Sequence, residues 1–253
     1  LRPIAERTGL QIVVGFSLYK ERFPDEVLAS DVDELVELFV RQAQGVGDWG
    51  IRPGLYGEVG TSMNRITPAE ERCLRAVARA HKAKSLAIST HCTLGTMAEE
   101  QISILAEEGA DLSRVVIGHL DLEPDLGKVE GVLMAGANVA FDTFGKEWFD
   151  YLVPEAQAPD GVQSVKWTYH RPESQRIEAL AKLLGRGYDH QVVLSCDISG
   201  PEAYLNPSTH GDLGYAYLPK RVLPALRQAG VTEESIRRML VDNPARILAG
   251  EGR

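Results

Sequence analysis

Gly54-Leu55-Tyr56-Gly57-Glu58-Val59-Gly60-Thr61-Ser62 is the stretch whose reading decides the fold. A short apolar run, Leu55 to Val59, ends in a carboxylate set between two glycines, and a helix signal follows closely. Read as a strand, the run puts Glu58 at its carboxyl end, with freely turning backbone on either side. One acid at a strand end is ordinarily a solvated charge. Here, however, the pattern recurs. Ser85 to His91, Arg114 to His119, Asn138 to Gly145 and Gln191 to Asp197 are likewise apolar runs ending in groups that can bind or polarise a ligand.

Helix signals alternate with these runs. Leu1 to Thr8 reads as helical turns stopped by Gly9. Gln11 to Phe16 is a buried-type strand, and Asp31 or Asp33 caps a helix whose apolar face is Leu35, Val36, Leu38, Phe39 and Val40. Thr67-Pro68-Ala69-Glu70 combines a capping box with proline at the first helical position, opening a helix to about Lys84. Further helices are expected before Gly109, up to about Ala135, from Pro172 to Leu184, and near Leu218 to Ala229, Glu233 to Val241 and Pro244 to Leu248. The aromatic-rich segment from Trp148 to Tyr169 reads as a long loop.

Six near-continuous apolar strands, each followed by helix, predict an α/β fold with a parallel sheet covered on both faces. Barrels and doubly wound sheets share this pattern. Barrels draw site residues from many strand ends at one rim, as Glu58, His91, His119 and Asp197 would be, and no G-x-G-x-x-G follows the first strand. A single domain spanning residues 1–253 is expected. Its 44% hydrophobic and 25% charged content suits an ordinary globular core.

Composition also excludes classes of function. A formal charge of −9 argues against binding a phosphate backbone and hence against a nucleic-acid partner. Three cysteines without metal-site spacing point to a reducing compartment. No run approaches the ~18 apolar residues of a membrane span, and no signal peptide is evident. The chain reads as cytoplasmic, with a small-molecule substrate; a homo-oligomer is compatible with it.

Two imidazoles and two carboxylates suit Zn²⁺, Mn²⁺ or Co²⁺. A bound metal lowers the pKa of its water towards ~7. Glu58 can bridge two ions, and Asp197 can both ligate and take the water's proton. Taken singly, each histidine would be read as a packed core residue; two at one rim beside two acids make a site. Tyr19 either faces the pocket or packs. Asp121 either orients an imidazole or is a loop acid. Trp148, Phe149, Trp167 and Tyr169 either wall a pocket or form a satellite core. His210 either touches substrate or is solvated. His81 and His190 are read as structural, and Cys92 and Cys196 as buried, inert thiols pointing away from the ligands.

Gly57 to Ser62, Ser89-Thr90-His91, Ile117 to Asp121, Phe141 to Gly145, Leu194 to Asp197 and Asn243-Pro244-Ala245-Arg246 together resemble the phosphotriesterase-like family of the amidohydrolase superfamily. The resemblance runs from about Leu1 to Leu248. It implies a (β/α)8 TIM-barrel type fold with a binuclear metal centre, whose bridging residue is a carboxylated lysine in some members and a glutamate in others; Glu58 matches the second kind. It further implies that His91 and His119 hold the more exposed metal, and that Asp197 holds the buried one and shuttles a proton. The family's first-strand His-x-His pair is absent from this sequence. Counting strands backwards makes Gln11 to Gly15 the third of eight, so about six of the eight βα units are expected in this chain. About one equivalent of metal, zinc before manganese or cobalt, is then expected rather than two. Thr143 stands where phosphotriesterases and lactonases carry a basic side chain, which counts against paraoxon-like and homoserine-lactone substrates. The implied activity is metal-dependent hydrolysis of an ester, lactone or phosphoester. The alternatives are a TatD-like metallonuclease and a non-catalytic barrel fragment. The absence of two strands also predicts open edges at Gln11 to Phe16 and Gln191 to Asp197, and with them poor solubility.

Overall fold

The computed structural model describes residues 1–45, 51–146, 148–153, 164–169, 171–198 and 214–249. Six strands form one parallel sheet: β1 (Gly15–Phe16), β2 (Leu55–Thr61), β3 (Ala87–Cys92), β4 (Val115–Ile117), β5 (Asn138–Phe141) and β8 (Val192–Leu194). Their spatial order is their chain order. Each strand is laid beside the one before it, which is barrel winding. A doubly wound sheet would reverse direction at a switch point. The fold is of the (β/α)8-barrel type with six βα strands in the described sheet, and β1 and β8 each pair on one side within it.

The end strands are shorter than the sequence suggests. Only Gly15 and Phe16 form β1, paired with Leu55 and Tyr56. Before it, Val14 accepts one bond from the Gly54 amide (2.9 Å), while Val13 is 51% exposed. The apolar run predicts strand, but a ladder needs a partner along its length, and β2 starts only at Leu55. At the other end Gln191 belongs to a 3₁₀ turn (Tyr188–Gln191), leaving β8 three residues long.

The Trp148 to Tyr169 segment is not simply a loop. β6 (Trp148–Val153) and β7 (Ser164–Tyr169) pair as an antiparallel ribbon, with Trp148 opposite Tyr169 and Val153 opposite Ser164. Aromatic and β-branched residues dominate both runs, and these favour extended, pleated backbone. Length without a helix signal is what makes the segment read as loop.

Helices precede, separate and follow the strands: α1 (Arg2–Thr8), α2 (Asp25–Ala29), α3 (Val32–Gln42), α4 (Pro68–Lys84), α5 (Ala98–Glu107), α6 (Leu126–Met134), α7 (Glu173–Gly185), α8 (Leu223–Gln228), α9 (Glu233–Arg237) and α10 (Asn243–Leu248). Asp31, not Asp33, caps α3: it accepts from the Glu34 amide at 2.9 Å, and Glu34 returns a bond at 3.0 Å. Thr67 and Glu70 form the expected reciprocal cap on α4 at 3.3 and 2.9 Å. Gly9 closes α1 at a φ of 73°, where glycine carries no steric cost. Phe39 of α3 packs edge-on against Tyr56 of β2, and both are fully buried. This contact fixes α3 against the sheet, whereas α1 buries none of its residues.

α10 latches the amino end of the sheet. Asn243 donates to the carbonyls of Asp189 (2.8 Å) and Val192 (2.7 Å). Arg246 reaches Ser113 O, Asn138 Oδ1 and His190 O at 2.9, 2.7 and 2.9 Å. Arg114 answers with bonds to Ile247 O (3.2 Å) and Ser85 O (2.6 Å). The Asn-Pro-Ala-Arg motif therefore ties strand beginnings together, which leaves the carboxyl rim for chemistry.

Candidate metal centre at the carboxyl rim

Glu58 is not at the end of its strand, as the sequence suggests; β2 continues to Thr61. Its register against β3 shifts between Tyr56 and Val59. Such an irregularity re-aims a side chain. The flanking glycines serve close approach. A Cβ at Gly57 would lie 2.7 Å from Ser89 Cβ, and one at Gly60 would meet His91 Cβ and Tyr19 O at 3.1 Å each.

His91 projects from β3 and His119 follows β4. A Cβ on Gly118 would stand 2.2 Å from Thr90 O, so only glycine lets β4 approach β3 here. His119 then takes a left-handed φ of 62°. Asp142, just past β5, holds it there: the His119 amide bonds Asp142 Oδ1 at 3.1 Å, and Nδ1 lies 2.8 Å from the same oxygen. That leaves Nε2 facing inward.

Three donor groups converge. His119 Nε2 is 2.7 Å from His91 Nδ1 and 3.8 Å from Glu58 Oε1, and His91 Nδ1 is 3.6 Å from Glu58 Oε2. One ligand atom from each lies within 4.8 Å of the others, so the trio could hold a metal ion. Around a tetrahedral centre with bonds of about 2.1 Å, donor atoms lie roughly 3.4 Å apart. The donor set and spacing therefore fit one such ion.

The electrostatics follow from burial and neighbours. Burial weighs against a charge on His119, yet the Asp142 carboxylate beside it prevails and lifts the imidazole to about 9. His119 Nε2 and His91 Nδ1 stand 2.7 Å apart, close enough to share a proton. Burial holds His91 below its ordinary value, with Glu58 opposing. Burial would raise Glu58, but its bond with His91 and the charges of His119, His91 and Lys146 bring it below the usual carboxylate range.

Asp197 stands apart from the converging three. It opens onto the same cavity of about 270 Å³ as Glu58 and Asp142, at a φ of 42°. Its Oδ2 lies 2.7 Å from Lys146 Nζ. Tyr19 does reach the rim, with its hydroxyl 3.1 Å from His91 Nδ1. Thr143 does not face that cavity. It is buried, and its hydroxyl donates to Asp121 at 2.6 Å and accepts from Arg176 at 3.0 Å. Asp121 is thus neither a loop acid nor a direct partner of an imidazole: it ion-pairs with Arg176, and both are fully buried. Of Trp148 only the strand backbone is described, and His210 lies outside the described residues. Cys92 and Cys196 are buried, and burial pushes the Cys196 thiol up to about 11.

Sequence reasoning misses four participants: Asp142, Lys146, Lys20 and Thr93. The end-of-strand rule that singled out Glu58 applies equally to Asp142. Lys146 sits four residues further on, where no periodic signal reaches. Thr93 bonds Thr61 O (2.7 Å) and His91 Nε2 (3.1 Å), and Lys20 Nζ donates to Thr93 at 2.9 Å.

The sequence profile described as the phosphotriesterase family matches residues 1–248. The chain belongs to the phosphotriesterase family. It is 34% identical over 244 residues to the phosphotriesterase homology protein of Escherichia coli, covering 96% of this chain and 75% of that one. The crystal structure of that protein with phosphate in its active site superposes with a TM-score of 0.84 at 33% identity, covering 98% and 78%. The N-acetyltaurine hydrolase of Dictyostelium discoideum is 30% identical over 250 residues, covering 97% and 63%. A mutant organophosphorus hydrolase of Deinococcus radiodurans superposes with a TM-score of 0.80 at 29% identity, covering 98% and 74%. Membership makes this chain a hydrolase, of a family acting on small molecules. Among the described residues, no helix is long and apolar enough to cross a membrane.

Proposed function

We propose that this phosphotriesterase-family chain is a metal-dependent hydrolase of small esters, lactones or phosphoesters, with acyl amides included on the strength of the N-acetyltaurine hydrolase relative. The convergence of Glu58, His91 and His119 carries the reading. Zinc is the metal that best matches two imidazoles and a carboxylate. When bound, such an ion supplies a nucleophile at neutral pH and polarises the bond to be broken.

The chain's own groups do the rest. Asp142 fixes the His119 ring through Nδ1, so that Nε2 presents a lone pair once its proton is lost. Glu58 supplies negative charge and an oxygen donor. Asp197 Oδ2 accepts a proton from the attacking water and returns it to the leaving group. Tyr19 covers His91 from the solvent side of the pocket and lines the place where substrate enters.

Removal and return of metal test this directly. Dialysis against a chelator should abolish hydrolysis across a panel of esters, lactones, amides and phosphoesters. About one equivalent of zinc, manganese or cobalt should restore it, with bound metal counted by elemental analysis. Full turnover in protein carrying less than about a tenth of an equivalent would sink the reading.

A further inference from the structure

Asp121 and Arg176 pair at 3.2 Å with neither side chain exposed to solvent. A pair buried this deeply adds little stability. Taking both charges out of water offsets most of their attraction, and packed apolar residues in their place are often as stable or more so. This pair is also incompletely satisfied: Asp121 Oδ1 and Arg176 Nε and Nη2 are buried without a hydrogen-bond partner. Stability does not account for it, and its place in the fold points elsewhere.

His119 follows β4 and Asp142 follows β5, its neighbour in the sheet. The two strand ends exchange carboxylates. Asp142 takes the His119 amide and Nδ1. In return Asp121, two residues past His119, takes the Thr143 amide at 3.1 Å and the Thr143 hydroxyl at 2.6 Å, both on its Oδ2. Arg176 of α7 completes the crossing. Its Nη1 donates to that same Oδ2, to Thr143 Oγ1 at 3.0 Å and to the Thr143 carbonyl. Arg171 holds the turn as well, with Nη1 donating to the carbonyls of Asp121 (3.3 Å) and Glu123 (2.7 Å). The backbone just beyond both His119 and Asp142 is thereby pinned. His119 needs that support, because it sits at a φ of 62°, a conformation that a side-chain-bearing residue keeps only where its surroundings over-determine it.

We propose that Asp121, Thr143 and Arg176 are positioning residues for the candidate metal centre. They hold Asp142 through the Thr143 backbone, and through Asp142 they set where His119 Nε2 points. The inference rests on the metal-dependent reading above and adds the residues that make its donor geometry reproducible. Donors of such a site must be held within about 0.5 Å of their places by groups that are themselves locked. A crossed pair of carboxylates, closed by a guanidinium with a rigid fork of donors, does that where a single His119–Asp142 bond would leave both strand ends free to shift together.

Removing one charge alone would strand the other in the interior, so the test replaces the pair together, as D121L/R176M in the full chain. Thr143→Val removes the hydroxyl and nearly keeps the shape, and Thr143→Ser restores it. Stability is read from urea unfolding of the metal-free chains. Zn²⁺ and Co²⁺ affinities come from competition with a coloured chelator, and the visible spectrum of bound Co²⁺ reports donor geometry. Proton NMR of the metal-free chains follows the His119 Nδ1–H held by Asp142. D121L/R176M should unfold at the same urea concentration as wild type or a higher one, yet bind metal about 10–100-fold more weakly, with an altered cobalt spectrum and a broadened N–H signal. Thr143→Val should lose about tenfold in affinity, and Thr143→Ser should regain most of it. Affinity, cobalt spectrum and N–H signal all as in wild type, with only the urea midpoint lowered, would overturn the proposal. If the wild-type chain binds metal but hydrolyses nothing, the hydrolase reading fails and the affinities still decide the positioning. If it binds no metal, the metal-dependent reading fails and the N–H signal decides. Should D121L/R176M not fold, Thr143→Val against Thr143→Ser carries the same comparison.

Discussion

His81 and His119 are both 4% exposed and sit at opposite ends of the same sheet. At the amino end, His81 on α4 has both ring nitrogens tied to backbone: Nδ1 donates to Leu86 O at 2.6 Å, and Nε2 accepts from the Asp111 amide at 3.2 Å. It staples the approaches to β3 and β4. At the carboxyl end, His119 has one nitrogen on a carboxylate and the other aimed at His91 and Glu58. Burial does not separate a structural histidine from a functional one. The second nitrogen does. Where it meets a backbone amide the ring is mortar; where it meets two other ligand-type groups it is a candidate site.

This contrast can be broken most severely at His119. His119→Ala should lower hydrolysis at least about a hundredfold, in line with losing a group that stabilises the reacting centre, and should bring bound metal well below one equivalent. His81→Ala should leave metal content intact while removing two buried bonds, a loss of about 2–3 kcal/mol. Its melting temperature should fall by several degrees. If the two variants exchanged these phenotypes, the distinction drawn here would be wrong.

Asp142→Asn sharpens the comparison by loosening the ring without removing it. The carboxylate orients His119 through both amide and Nδ1. Replacing such an outer partner costs metal affinity about 10–100-fold. Competition with a coloured chelator would read this, and an affinity equal to wild type would show that the ring needs no such support.

The last test concerns pH. In metal-free protein the His119 imidazole is raised to about 9, against about 6.5 unfolded. A group raised on folding stabilises the fold fully below its unfolded value and loses that contribution as pH rises through its folded value. Urea midpoints of chelated protein should therefore decline between about pH 6.5 and 9, and His119→Asn should flatten the decline. The same proton must leave before metal binds, so metal affinity should rise over that range. A midpoint independent of pH in the chelated wild type would rule out this account.

The barrel winding was legible because its signal is local and repeated. Apolar runs alternate with capped helices, and Thr67-Pro68-Ala69-Glu70 announces α4 in four residues. His91 and His119 were legible as candidates because strand ends mark a rim, whereas the strand that carries Glu58 runs on to Thr61. What the sequence hid depends on partners. Gln11 to Val14 is as apolar as β1 but lacks a neighbouring ladder, and Glu58 reaches the rim through a register shift that no spacing reveals. Thr143 sits at a strand end like the others, yet the buried pair Asp121–Arg176, far apart in sequence, claims its hydroxyl. Lys146 becomes visible only once folding sets it against Asp197.

The latch at the amino end bears on how the protein is made. α10 is translated after every strand it ties, so on the ribosome the carbonyls of Ser113, Asp189, His190 and Val192 and the Arg114 guanidinium await partners that emerge later. Folding from the amino-terminal side can stack the βα units as they appear, but the bottom of the sheet stays ajar until Asn243 and Arg246 leave the exit tunnel. A chain stopped just short of them would carry every rim group and yet be a substrate for cellular proteases before it was a catalyst. Completion of the fold is thereby tied to α10, a helix that supplies none of the converging donors.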